Sequence, residues 1–165
     1  MAYQIRLTSF EDINAVKAIY EHARTIMRRS GNLSQWVNGY PQDETIKEDI
    51  VLKQSYVIEK DNKIIATFVF FVGNEPTYND IEGRWLNDAP YGVIHRIGSL
   101  EIEKGILKVC LDYCLEKIDN IRIDTHKDNV IMRHLLTKYG FQECGTIYLT
   151  DGSPRLAYQF INNQS

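Results

Sequence analysis

The sequence predicts an α/β (α+β) fold: a mixed, mostly antiparallel central sheet flanked by helices. β-rich runs joined by turn residues place antiparallel hairpins toward both ends of the chain. Between them lies a strand–helix–strand unit, which calls for a parallel pair. The periodicities run β α α β β β α β α β β without an internal repeat or a linker, so residues 1–165 read as one domain.

Each element has its own signal. Residues 3–7 alternate as a short strand. Thr8-Ser9-Phe10-Glu11 then has the pattern of a capping box. The helix that follows carries Ile13, Val16, Tyr20, Ala23 and Met27 at helical spacing and stops at Ser30-Gly31-Asn32. Gly39 and Pro41 break regular structure, so residues 35–41 form a loop bearing Trp36 and Tyr40. Asp43 caps a second helix with Ile46, Ile50 and Val51 as its apolar stripe. Residues 55–60 and 63–72 are β-branched and aromatic, and Asp61-Asn62 turns one into the other. Residues 74–90 form a long polar and aromatic loop, a length often tied to function. Residues 91–97 read as a strand, 99–104 as a polar link, and Gly105 opens a helix with Ile106, Val109, Cys110, Tyr113 and Cys114 on one face. Residues 121–124 are a strand. Asp128 or Asn129 caps a helix with Met132, Leu135, Leu136 and Tyr139 inward, and Gly140 suits the left-handed position past its end. Residues 141–149 and 155–160 make the last hairpin across Asp151-Gly152-Ser153-Pro154.

Composition narrows the function. The chain is 44% hydrophobic and 25% charged with a net charge of -3, so it offers nucleic acid no overall electrostatic match. The apolar run over residues 64–72 is too short to span a bilayer as a helix. The first residues lack the apolar stretch and cleavage site of a signal peptide, which sets the expectation of a cytoplasmic protein. Three cysteines cannot all pair internally, and Cys110 and Cys114 fall on one helix face as small core residues. No metal is expected, because ligand-like spacing is missing.

The chemistry concentrates in two segments. The strand over residues 91–97 runs through a tight link into the helix at Gly105. A helix start offers unpaired N–H groups and a positive dipole end, suited to a pyrophosphate, and glycine lets the backbone come close. The second segment runs from Asp124 to Phe141. Within it, Asn129, Met132, Leu135, Lys138, Gly140 and Phe141 stand at the spacing Asn-x-x-Ala-x-x-Leu-x-x-Lys-x-Gly-Phe. That stretch closely resembles the signature of the GNAT acetyltransferases, and the element order is the GNAT order throughout. Trp36-Val37-Asn38-Gly39-Tyr40-Pro41 and Asp151-Gly152-Ser153-Pro154-Arg155-Leu156-Ala157-Tyr158-Gln159 further resemble a bacterial subgroup of that superfamily.

The resemblance implies acetyl-CoA as acetyl donor, a splayed parallel strand pair with the thioester in the gap, and direct transfer to an amine. It implies that the backbone of Ile97, Gly98 and Ser99 receives the pantetheine arm and that Asn129 contacts it. Amides of Lys104, Gly105 and Ile106 would hold the pyrophosphate. Two positions depart from the family pattern. Of Ile102, Gly105 and Leu107, which align with the superfamily's Gln/Arg-x-x-Gly-x-Gly/Ala run, Gly105 alone matches. Leu136 stands where many members carry the tyrosine that protonates the departing thiolate.

A general base works best with a pKa near the operating pH, which favours histidine. His95 and His126 are therefore the candidates, His95 on the strand that lines the groove and His126 just past the far strand. Their alternative readings are an interior hydrogen-bonded residue and a loop cap. Ser99 and Tyr148 are candidate proton donors, and a strand amide near residues 97–99 would polarise the carbonyl. Trp36, Tyr40 and Tyr78 suit the wall of an acceptor pocket, or else cover the core edge. Glu75 and Asp80 would attract a cation. The expected function is N-acetylation of a small-molecule, amino-acid or peptide amine. A non-catalytic acyl-CoA-binding module is the alternative, and a protein-interaction domain a more distant one. The C-terminal hairpin offers an edge for pairing with a second copy.

Overall fold

The computed structural model describes residues 2–100 and 104–163, so Ile102 and most of the link before Gly105 lie outside the described residues. Strands β1 (Gln4–Leu7), β2 (Ser55–Lys60), β3 (Lys63–Val72), β4 (Glu82–Gly83), β5 (Gly92–Ser99), β6 (Asn120–Thr125), β7 (Gln142–Tyr148) and β8 (Pro154–Ile161) form one sheet. Its order is β1-β2-β3-β5-β6-β8-β7-β4. Every pairing is antiparallel except β5 with β6. Helices α1 (Ile13–Arg29), α2 (Asp43–Val51), α3 (Ile106–Leu115) and α4 (Val130–Lys138) cover the two faces.

The period of two along each strand decides which face a residue serves. Val57 joins Val16, Tyr20, Ile46 and Ile50 under α1 and α2, while its neighbour Ile58 joins Phe68, Cys110, Ile121 and Leu136 under α3 and α4. Val93 and Ile94 divide in the same way, with Val93 meeting Tyr78, Tyr91 and Ile147. Burying one such side chain stabilises the fold by roughly 1.5–3 kcal/mol. Cys110 and Cys114 are unbridged and fully buried, as small core residues. No helix among the described residues is long and apolar enough to cross a membrane.

Several local expectations shift. The first cap is not Thr8, whose hydroxyl is buried 2.7 Å from that of Ser55. Ser9 takes its place, its N–H donating to Asp12 Oδ2 at 2.7 Å, because Asp12 is also anchored by Arg6. Val51, expected on the inner stripe of α2, is 66% exposed, and Asp49 is buried instead. The 74–90 loop contributes β4, which pairs Glu82 with Thr146 and Gly83 with Gly145. The edge of β7 is thus covered there. Gly140 takes the left-handed turn after α4 (φ +96°), and Phe141 N–H closes back on Leu136 O at 2.9 Å.

Candidate active site

The site grows from an interruption in β5. Val69 pairs with His95 and Thr67 with Gly98, so three steps on β5 oppose two on β3. That extra residue is a bulge, and Arg96 within it has φ +46°, in the left-handed region that a long side chain disfavours. The surroundings hold the bulge in place. Tyr20 Oη donates to Arg96 O at 3.1 Å. The Arg96 guanidinium forks onto buried Asp49, with Nε and Nη2 at 2.8 and 2.6 Å from its oxygens, and gives Nη1 to Tyr40 Oη at 2.9 Å. Burial is the largest single influence and works against the guanidinium charge, but the Asp49 hydrogen bonds together with the electrostatic effects of Tyr40, Asp49 and Tyr20 outweigh it and raise the pKa. Gly98 sits where a Cβ would come 3.3 Å from Ile19, so glycine lets α1 pack directly on the strand.

On its other side β5 leaves β6 early. The two are in register at Gly92 with Ile121 and at Val93 with Arg122, and part beyond. The opening is a cavity of about 620 Å³. His95, Ile97, Asp124, Thr125, Trp36 and Arg155 are among its lining residues, drawn from both parted strands, the 35–41 loop and β8.

His95 is the centre of a polar cluster there. Its Nε2 lies 2.8 Å from Glu75 Oε1, and its Nδ1 lies 3.8 Å from Asp124 Oδ2. Tyr78 Oη donates to the same Asp124 oxygen at 2.7 Å. The His95 hydrogen bond, against an opposing effect of burial, holds the Glu75 carboxyl below its usual range. An ionised Glu75 can accept but not donate, so Nε2 is the donor in that hydrogen bond, and in a neutral ring the lone pair is on Nδ1. Burial, with Asp124 beside it, pushes the Tyr78 hydroxyl well above the ordinary phenol value, so it stays a donor.

The other expected residues divide. Trp36 and Tyr40 line the cavity, and Trp36 packs edge-on against Tyr20 with ring centres 5.4 Å apart. Tyr78 does not stand at the wall. It is 1% exposed and supports Asp124 from beneath, because its ring joins the cluster of Tyr91, Val93 and Ile147. His126 fits the loop-cap reading: its Nδ1 accepts the Asp128 N–H at 3.0 Å, and it is not among the cavity residues. Burial first, then the charge of Arg155, hold its pKa below the ordinary imidazole value. Tyr148 is exposed at the hairpin and bonds to Glu82, away from the cavity. Ser99 ends β5 opposite Ala66. Asn129 lines the cavity while its Oδ1 caps α4 through Met132 N–H at 3.1 Å and its Nδ2 reaches Gln35 Oε1 at 3.2 Å. Lys104, Gly105 and Ile106 stand at the start of α3 outside the cavity, with Gly105 left-handed at φ +80°. Leu136 is fully buried in the core and has no contact with the opening. No metal-binding cluster of His, Cys, Asp or Glu is found among the described residues.

Sequence reasoning gave no role to Asp49, Asp124, Thr125 or Arg155. Arg155 stands inside the Asp-Gly-x-x-Arg run and Asp124 and Thr125 open the second chemistry-bearing segment, while nothing local marks Asp49.

Protein-family models and curated proteins give no match. Among solved structures, an acetyltransferase of the GNAT family from Streptococcus agalactiae is 34% identical over 98% of this chain and 96% of its own, with a TM-score of 0.88. The chain belongs to the GNAT family of acetyltransferases. A GNAT-family acetyltransferase from Listeria monocytogenes, at 18% identity, a TM-score of 0.68 and coverage of 96% and 94%, shares the fold. So does the ribosomal-protein-S18-alanine N-acetyltransferase of Escherichia coli, at 12% identity, a TM-score of 0.62 and coverage of 99% and 96%. This GNAT chain is thus an acyl-transferring enzyme, with the mixed sheet and parted parallel pair that its sequence predicted.

Proposed function

We propose that this GNAT enzyme uses acetyl-CoA to acetylate the amine of a small molecule, amino acid or peptide in the cytoplasm. The observation that carries the reading is His95, held between Glu75 and Asp124 on the wall of the cavity where β5 and β6 part.

The residues present fit an acyl-CoA. The parting of the strands leaves the β5 edge beyond Val93 without β6 as a partner, so its peptide groups can receive an extended arm. Thr125 Oγ1, on the opposite strand, is buried without a hydrogen-bond partner and lines the same cavity. Ile97, Gly98, Ser99 and Asn129 would hold the pantetheine arm, and Lys104, Gly105 and Ile106 at the N-terminus of α3 the diphosphate. When bound, acetyl-CoA supplies an activated acetyl thioester.

The chain's own part is to orient an amine and take its proton. His95 Nδ1 is the acceptor, because Nε2–H is directed at Glu75. Asp124 lies close enough to stabilise the imidazolium that forms, and Tyr78 fixes Asp124 in that position. Trp36 and Tyr40 enclose the acceptor end and limit water.

A thiol-release screen of an amine panel with acetyl-CoA tests this. At least one amine should give release that depends on His95. CoA binding in calorimetry with no release from any amine would instead favour a non-catalytic acyl-CoA-binding module, the reading that the burial of Leu136 supports.

A further inference from the structure

The far wall of the cavity carries a positive charge that the proton-transfer cluster does not use. Arg155, at the start of β8, is 9% exposed and lines the opening. Its Nη1 donates to the carbonyl of its neighbour Pro154 at 2.8 Å. Among the described residues it forms no ion pair. The two carboxylates whose charges reach it each give an oxygen to another partner. Asp151 Oδ1 accepts from Ser153 N–H at 2.9 Å and from Ser153 Oγ at 2.6 Å. Asp124 Oδ2 accepts from Tyr78 and faces His95. A buried guanidinium without a carboxylate is costly unless a ligand completes it. Burial accordingly lowers its pKa, although Asp124 and Asp151 oppose that. The strand register places the Arg155 side chain on the face of Asp124, which pairs with Ala157 across β6 and β8, while Thr125 pairs with Leu156 and belongs to the other face.

We infer that Arg155 forms a carboxylate-binding subsite, and that the acceptor is an amino acid whose amine faces His95 while its carboxylate meets the guanidinium. This rests on the acetyl-transfer reading above. Asp124 stands between the two ends: it lies 3.8 Å from His95 Nδ1, and its charge reaches Arg155. The cavity therefore presents acidic groups to an amine and a forked donor to an anion. The planar guanidinium fork matches a carboxylate in two-point geometry. A phosphate is the poorer match, since its second charge would face Glu75, Asp124 and Asp151 in the same cavity.

The test uses the full chain with CoA present. The standard L-amino acids and their carboxamides are titrated calorimetrically against wild type, Arg155→Gln and Arg155→Lys. At least one acid should bind wild type about 10-fold or more tighter than its amide. That gap should close in Arg155→Gln and shrink in Arg155→Lys, which keeps the charge but loses the fork. Acids and amides that bind alike to wild type would overturn the subsite without recourse to any variant. So would binding of no acid, or a gap that survives in a folded Arg155→Gln protein. Thiol release measured on the same pairs separates the two readings. A clear acid–amide gap with no thiol released sinks acetyl transfer but keeps the subsite. Equal release from acids and amides sinks the subsite but keeps acetyl transfer.

Discussion

His95 lies in β5 and His126 directly follows β6, the two strands that part, yet their surroundings differ. His95 lies between Glu75 and Asp124 and lines the cavity. His126 has its Nδ1 occupied by the Asp128 N–H and feels the positive charge of Arg155. Both ring nitrogens of the first face carboxylates, while burial and Arg155 hold the second below the ordinary imidazole pKa. Proximity to the parted strands is thus a weak guide to role, and the partners of each ring nitrogen are a strong one.

The largest effect should come from breaking the His95 side of that contrast. His95→Gln should lower kcat about 10²–10⁴-fold while leaving CoA affinity unchanged, and His126→Asn should leave kcat near wild type. Steady-state kinetics alongside calorimetry reads both, and equal losses in the two variants would erase the distinction. Next comes the support of the bulge that presents His95. Asp49→Asn leaves the Arg96 charge without its carboxylate in a site where Arg96 is 18% exposed. Breaking such a pair costs about 3–5 kcal/mol, or roughly 10 °C in melting temperature. A melting curve superimposable on wild type would show that the bulge stands without it.

A smaller effect is expected at the far end of the site. Gly105 has φ +80° and nothing within 4 Å of where a Cβ would lie. Gly105→Ala should therefore cost about 1 kcal/mol from backbone strain alone. Gly105→Val should in addition weaken CoA binding, because its side chain points into the space the diphosphate would take. Calorimetric affinity equal to that of wild type would move the diphosphate off α3.

The smallest effect sharpens the His126 side. Its folded-state pKa lies below the ordinary 6.5, so the unfolded chain binds the proton more readily. The stability this neutral imidazole contributes is complete above that value and is lost as pH falls below it. His126→Asn should flatten the stability profile between about pH 7 and 5. A urea-melt series in which wild type and variant keep the same slope would count against the buried neutral form.

Local signals carried much of the fold. The Asp61-Asn62 turn, the Asn129 cap and the Gly140 stop each depend on a few neighbouring residues, and all appear as read. The errors share a different origin. Ser9 replaces Thr8 as the cap because a hydroxyl from β2 claims Thr8. Val51 faces out because the inner place on α2 belongs to Asp49, whose partner is 47 residues away. Tyr78 reads as a loop aromatic, yet Tyr91, Val93 and Ile147 bury it. In each case a distant partner overrides the local preference.

The sequence by itself determined the order of strands and helices and the family signature at Asn129–Phe141, since these follow from short-range periodicity, turn chemistry and residue type. Tertiary structure alone decided that His95 lies between Glu75 and Asp124 on the cavity wall, that Arg96 bends β5 against Asp49, and that Arg155 faces a cavity with no ion pair among the described residues. Those outcomes depend on where β5 and β6 separate and on which side chains the 74–90 loop, α2 and β8 bring to the gap. Such meetings between segments far apart in the chain leave no periodicity to read.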